Sequence, residues 1–221
     1  MVDFQSRDTR RGLGDDDDEE EEEPEQATES ADADGEDPAG GAGTDPPVGE
    51  STAATAAPAT DEDATAYAVV TVTGGRSLSE DSQGDVVVDA IEDGGGKVVT
   101  RDLVRPDFDG LQTTISTLAG RGDVDVVVTI GGTGVEPDDV TVGALHPLLD
   151  RHLPGFGELF RLLAHETEGT AVVGTRATAG IVDATPVFAV PGSVDGARLA
   201  VEEVVLKEAY HLVVDAAGKT G

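Results

Sequence analysis

From residue 66 onward the spacing of apolar positions keeps changing period, and each change marks an element. Tyr67–Thr73, YAVVTVT, is a β-branched run closed by Gly74-Gly75 and predicts a first strand. Gly84–Asp93 places Val86, Val87, Ala90 and Ile91 at helical spacing and stops at Gly94-Gly95-Gly96. Lys97–Val104 alternates as a second strand and meets Pro106, and Asp109–Leu118 carries Leu111, Ile115 and Leu118 on one helical face. Asp123–Ile130 predicts a third strand, its apolar run Val124–Val128 broken only by Asp125, and Gly131–Asp139 predicts a loop. Thr141 to about Leu149 and Gly155–Ala164 predict short helices separated by Pro154. Thr170–Asp183 holds small and β-branched residues without a clean period, so the pattern assigns it no element. Thr185–Val190 predicts another strand, and Pro191-Gly192-Ser193 opens a long helix to about Val214 with Ser193 as N-cap.

This order, β-α-β-α-β-loop-α-α-β-α, predicts a three-layer α/β fold around a mostly parallel sheet. Ligands in such folds sit beyond the C-terminal ends of strands. The loops after Thr73, Val104, Ile130 and Val190 are therefore expected to converge.

Composition separates this domain, expected over 66–221, from what precedes it. Residues 1–65 hold 22 Asp and Glu against 3 Arg, including DDDDEEEEE at Asp15–Glu23, and almost no large apolar side chains. Such a segment cannot offset its chain entropy by burial, and a disordered acidic tail is expected there. The acidity continues beyond it: the whole chain has a formal charge of −32, with lysine only at Lys97, Lys207 and Lys219. An acid-coated fold poor in lysine predicts adaptation to high salt, where screening shortens self-repulsion to a few ångström. Nucleic acid is not an expected partner, because no basic stripe exists to displace counterions. There is no cysteine, so disulfides and thiolate chemistry are excluded. No apolar run approaches the length of a membrane span, and a cytoplasmic protein is expected.

The chemistry concentrates in Thr129–Thr141, TIGGTGVEPDDVT. A buried strand that opens into glycines lets backbone N–H groups approach an anion. Carboxylates a few residues later can hold the divalent cation that a polyphosphate brings. Neither general phosphate fingerprint is present: no lysine follows Gly134, and Pro137 stands where the last glycine of G-x-G-x-x-G would be. On chemistry alone, a ligand loop and a tight structural turn both remain open. Pro191-Gly192-Ser193 places a helix N-terminus at a strand end, where free N–H groups attract anions. His146, His152, His165 and His211 show no ligand spacing, and Glu80 and Asp81 read as solvated acids, with a metal or ligand contact as the alternative.

Several segments together resemble the MoaB/Mog family of molybdenum-cofactor biosynthesis proteins. They are GGTG-x3-DDVT, PLLDRHLPGFGELFR at Pro147–Arg161, FAVPGS at Phe188–Ser193, TVTGGRSLSEDSQGD at Thr71–Asp85 and VRPD at Val104–Asp107. The resemblance runs through residues 66–214 in one register. It implies a molybdopterin-binding α/β fold that associates as a homotrimer or homohexamer. It also implies an enzyme that uses Mg²⁺-ATP to adenylylate molybdopterin, preparing it for a molybdate-insertion partner. A non-catalytic pterin-binding scaffold is the alternative.

Carried over position by position, the resemblance implies Asp107 and Asp139 as catalytic, Mg²⁺-holding acids. Each is expected just past a strand near the sheet centre. The same resemblance and the loop chemistry point to Gly131, Gly132, Thr133 and Gly134 for phosphate. Arg76 and Ser77 are candidates for phosphate or pterin, Glu158 for pterin, and Pro191, Gly192 and Ser193 for substrate. Asp107 could instead be a surface loop acid, and Asp139 a helix cap. The sequence departs from the family pattern at Asp138, where active relatives usually carry a basic residue.

Overall fold

The computed structural model of the chain describes residues 64–218; the expected acidic tail lies almost entirely outside the described residues. The elements are β1 (Ala66–Val72), α1 (Ser82–Asp93), β2 (Lys97–Val104), α2 (Phe108–Ala119), β3 (Val126–Ile130), α3 (Thr141–Leu145), β4 (Arg151–His152), α4 (Pro154–Glu168), β5 (Thr178–Val182), β6 (Thr185–Val190), α5 (Val194–Ala200) and α6 (Leu206–Ala216). One six-stranded sheet has the order β2-β1-β3-β6-β5-β4. The β2, β1, β3 and β6 strands are parallel, while β5 runs antiparallel to β6 and β4 antiparallel to β5.

Alternation along the inner strands makes the three layers. Tyr67 and Val69 of β1, Val126, Val128 and Ile130 of β3, and Phe188 and Val190 of β6 face one apolar cluster, shared with α1, α4 and α5. Ala68 and Val70, Val127, and Val187 and Ala189 face the opposite one, against α2 and α3. Strands buried on both faces read as continuous apolar runs, which is how β3 (VVVTI) and β6 (TPVFAV) appear in sequence.

Several expectations change. β2 is an edge strand, so Asp107 follows the rim of the sheet rather than its centre. Its sequence, KVVTRDLV, interleaves charges with valines, the composition that protects an exposed edge from pairing. Pro154 does not separate two helices but occupies the first turn of α4, where its missing N–H costs nothing. The long C-terminal helix contains a π-helical turn at Val201–Val205 between α5 and α6.

The unassigned stretch 170–183 contains a 3₁₀ turn, Gly169–Gly174, and then β5. β5 pairs with β6 across a two-residue turn, Asp183-Ala184, with φ of 48° and 67°. Two positive φ values match the right-handed twist of a tight hairpin. Asp tolerates that region, but alanine bears a Cβ clash there. Ala184→Gly should therefore raise stability by about 0.5–1 kcal/mol, and the thermal midpoint by ~2 °C. A lower midpoint for the variant would mean that the turn is not strained.

Candidate functional site

Because β2, β1, β3 and β6 are parallel, their C-terminal ends share one rim, and backbone contacts tie the loops there together. Thr73 N donates to Val104 O at 2.8 Å, and Gly131 N donates to Val190 O at 3.0 Å. Gly131 has φ +92°, and a Cβ on it would lie 3.1 Å from Val72 O. A Cβ on Gly192 would lie 3.1 Å from the Gly131 Cα, so the turns after β3 and β6 touch backbone to backbone. The four loops converge as the strand order requires.

The GGTG loop folds back on the start of α3. Thr141 Oγ1 donates to Gly131 O at 2.7 Å, and Thr141 N donates to Gly132 O at 3.1 Å. Gly132, at φ +67°, has no room for a side chain: its Cβ would overlap Thr141 Oγ1. Gly131 and Thr133 are buried, while Gly132 and Gly134 are partly open.

Asp139 does not cap α3, whose N-cap position is Val140 with no side-chain bond. Its carboxylate turns back over the loop instead. Oδ2 accepts from Glu136 N at 2.8 Å and lies 2.5 Å from where a Gly134 Cβ would be. Asp107 is both exposed and a cap, its Oδ2 accepting from Gly110 N at 2.7 Å at the start of α2. The two acids stand on the same rim but not side by side, since β1 separates β2 from β3. Two strand spacings amount to about 10 Å.

Each acid uses one oxygen on a backbone N–H and keeps the other. Standing about 10 Å apart at their strands, the two acids are not a preformed Mg²⁺ pair, but each offers one hard oxygen of the kind Mg²⁺ takes alongside phosphates and water. Among the described residues no cluster of three or more acid or histidine side chains forms a dedicated metal cage. The donor set thus suits a cation that arrives with a phosphorylated ligand.

The remaining candidates fall into two groups. Ser193 caps α5, accepting from Gly196 N at 3.2 Å, and Pro191 packs beside Gly196, so the 191–193 turn belongs to the rim. Glu158 is an exposed residue of α4. Its neighbour Gly157 packs on Ala177 O, next to Arg176, whose backbone N donates to Thr133 O at 2.7 Å. That chain of contacts brings the start of α4 to the GGTG loop. Arg76 and Ser77 are exposed and bond within their own segment, Arg76 to Gln83 and Ser77 Oγ to Glu80 at 2.8 Å. These last bonds hold the Glu80 carboxyl below its ordinary range.

Two features were not expected. Asp81 is not solvated but fully buried. It caps α1 through Gly84 N at 3.0 Å, accepts from Thr71 Oγ1 at 2.8 Å, and pairs with Arg101 at 3.0 Å. Asp85 holds the other arm of Arg101 at 2.7 Å. The first loop is therefore anchored at its base to both β1 and β2. The second feature is Arg176, whose side chain clamps the GGTG loop, with Nε on Gly134 O at 2.5 Å and Nη2 on Asp139 O at 2.6 Å. The available signal was its isolation: it is the one basic residue between 169 and 180. His146 lies within reach of this charge; burial first, then His152 and Arg176, lower its pKa.

Comparison with known proteins places the chain in a family. Residues 69–211 match the family described as "Probable molybdopterin binding domain". Molybdenum cofactor biosynthesis protein B of Bacillus subtilis (strain 168) is 38% identical over 148 residues, covering 66% of this chain and 86% of that relative. The protein of the same name from Escherichia coli (strain K12) is 36% identical over 141 residues, 64% of this chain and 83% of that relative. Among solved structures, tungsten cofactor synthesizing protein MoaB from Pyrococcus furiosus superposes with a TM-score of 0.62 at 33% identity, covering 69% of this chain and 97% of that one. A crystal structure of molybdenum cofactor biosynthesis protein B gives a TM-score of 0.68 at 32% identity, with coverage of 70% and 97%. The chain belongs to the molybdopterin-binding family that contains the MoaB and Mog proteins. Among the described residues no helix is long and apolar enough to cross a membrane.

Removing Asp81 leaves Arg101 without its buried partner and Gly84 N without its cap. Asp81→Ala should cost about 3 kcal/mol, the low end for breaking a buried pair because Arg101 is partly exposed. Urea denaturation reads this directly, and a loss below ~1 kcal/mol would reduce the pair to an ordinary surface contact.

Proposed function

We propose that the chain acts in molybdenum or tungsten cofactor biosynthesis by transferring an adenylyl group from Mg²⁺-ATP to molybdopterin. The observation that carries this reading is the folding of the Asp139 carboxylate over Gly134, inside a glycine loop that touches the 191–193 turn. In the reaction an oxygen of the pterin's terminal phosphate attacks the α-phosphorus of ATP. The bond from that phosphorus to the bridging oxygen breaks, and pyrophosphate leaves. The nucleophile is already an anion, so no strong base is needed; the obstacle is repulsion between anions.

Backbone N–H groups of Gly132 and Gly134 and the hydroxyl of Thr133 would bind and orient phosphate oxygens, while Gly131, whose own N–H is taken by Val190 O, would fix the turn that presents them. Asp107 and Asp139 would hold Mg²⁺, which when bound supplies the positive charge that offsets that repulsion. Pro191, Gly192 and Ser193 would position the second ligand, Arg76 and Ser77 would contact phosphate or pterin from the first loop, and Glu158 would contact the pterin from α4.

Asp138 favours a second reading, a pterin-binding scaffold without transfer activity. An acid there, in place of a basic residue, works against polyphosphate binding at low salt. At high salt the repulsion is screened within a few ångström, the setting for which the chain's composition is suited.

The deciding experiment incubates the full chain with molybdopterin, ATP and Mg²⁺ in molar KCl and follows adenylylated product by mass. Wild type is expected to form product. Asp107→Ala and Asp139→Ala are each expected to retain fold and pterin affinity but lose at least ~100-fold in rate, the scale of removing charge stabilisation from a transition state. Near-normal turnover in both variants would remove the metal assignment. Pterin retained without product in wild type would establish the scaffold.

The reading includes a homotrimer or homohexamer, to which a molybdate-insertion enzyme would couple. Leu159 and Leu162 of α4 and Val173 of the turn that follows leave apolar side chains exposed, and burying them against another copy would satisfy that face. Light scattering on the same preparation is expected to give three or six times the chain mass. A monomeric mass would discard this part of the reading.

A further inference from the structure

Arg176 belongs to no motif of the reading above, yet it is the side chain most closely fastened to the loop. It sits in the connection between the 3₁₀ turn Gly169–Gly174 and β5. Its backbone N is fixed on Thr133 O at 2.7 Å. From that anchor the guanidinium spans the turn that follows: Nε reaches Gly134 O at 2.5 Å and Nη2 reaches Asp139 O at 2.6 Å. One residue thus bonds the two ends of the segment 134–139 and the residue before it. Within that segment Asp139 Oδ2 bonds Glu136 N, and Thr141 bonds back to Gly131 and Gly132. The carboxylate end of the turn has no other side-chain donor from outside the loop among the described residues.

Geometry and charge both depend on an arginine at this position. Nε and Nη2 lie on one edge of a rigid planar fork, so they can bridge two carbonyls at a fixed separation, which a lysine cannot do. The fork has five N–H donors and spends two on the loop. Its charge stands at a turn whose own side chains include Glu136, Asp138 and Asp139.

We propose that Arg176 is a positioning residue of the phosphate loop: by bridging the Gly134 and Asp139 carbonyls it sets the Asp139 carboxylate against the GGTG backbone, and it supplies at this turn the positive charge that Asp138 does not. The proposal rests on the adenylyl-transfer reading for its link to nucleotide, but the bridging itself does not. It adds to that reading a residue from the β5 side of the sheet.

The test uses the full chain in molar KCl with Arg176→Ala, Arg176→Gln and Arg176→Lys. Hydrogen exchange on the unliganded protein reports the bridge. Arg176→Ala and Arg176→Gln should speed exchange of the amides in 134–140 at least tenfold, with β3 unchanged. The affinity of the non-cleavable α,β-methylene analogue of Mg²⁺-ATP reports the consequence and should fall at least tenfold, with pterin affinity unaltered. Arg176→Lys separates the two effects: it should exchange as fast as the alanine variant but recover part of the nucleotide affinity. Unchanged exchange in the alanine and glutamine variants overturns the positioning role. Fast exchange with unchanged analogue affinity overturns the link to phosphate. A wild type that binds no nucleotide would instead sink the adenylyl-transfer reading, while the exchange data still decide whether Arg176 holds the loop.

Discussion

The rim of the sheet is organised by a backbone contact that only glycine permits. Gly131 enters the loop at φ +92°, where a Cβ would lie 3.1 Å from the Val72 carbonyl, and a Cβ on Gly192 would lie 3.1 Å from the Gly131 Cα. This contact joins the ends of β1, β3 and β6, and the Gly131 N bond to Val190 O closes the same junction from the β6 side. The GGTG loop, the cap of α5 and the start of α3 all take their positions from it. A Cβ at this point would separate loops that the hydrogen bonds of the sheet hold together. The glycines here therefore do more than allow a turn. They set how close three loops come, and so what size of group can lie across them.

Charge is handled in opposite ways on the two sides of this junction. In the first loop the acid is internal: Asp81 is buried against Arg101 and Thr71, and its burial secures the exposed residues 74–80 at their base. In the GGTG loop Glu136 and Asp138 are exposed and Asp139 is half-buried, and the balancing cation comes from a distant segment, Arg176. Carbonyl oxygens accept its bonds, so among the described residues the carboxylate of Asp139 forms no salt bridge and keeps one oxygen for another ligand. A chain with so few basic residues places arginine where one side chain can bridge two groups, which lysine's point charge could not do.

The parts of this design that could be read from sequence are those set by local pattern. The parallel half of the sheet was legible in the apolar runs of β1, β3 and β6, and the strand-end loops in their glycines, because both signals are short-range. The hairpin of β5 and β6 was not: its turn is Asp183-Ala184, without the glycine that usually marks two positive φ values. β4, only two residues long, has no period to detect. Asp81 looked solvated because its partners, Thr71 and Arg101, lie ten and twenty residues away and meet it only once β1 and β2 pair. Arg176 was hidden for the same reason, its contacts lying 37 and 42 residues back. The edge position of β2, by contrast, was written in KVVTRDLV and could have been taken from its charges.

That edge position alters how the two candidate acids can cooperate. With β1 between β2 and β3, the loops bearing Asp107 and Asp139 rise from strands about 10 Å apart, and the 191–193 turn after β6 lies one strand further on, about 14 Å from β2. A single phosphate spans only a small part of that rim, so one compact anion could not engage all three loops. Two phosphorylated ligands laid end to end could, with their reacting ends between the outer acid and the inner glycine cradle. On the adenylyl-transfer reading, Asp139 is then the acid held close to the phosphate loop, fixed by Glu136 N and the Arg176 bridge. Asp107, whose carboxylate is held among the described residues by the cap of α2, would approach from the side. The two acids need not share one coordination sphere before ligand binds; the phosphates themselves would complete it.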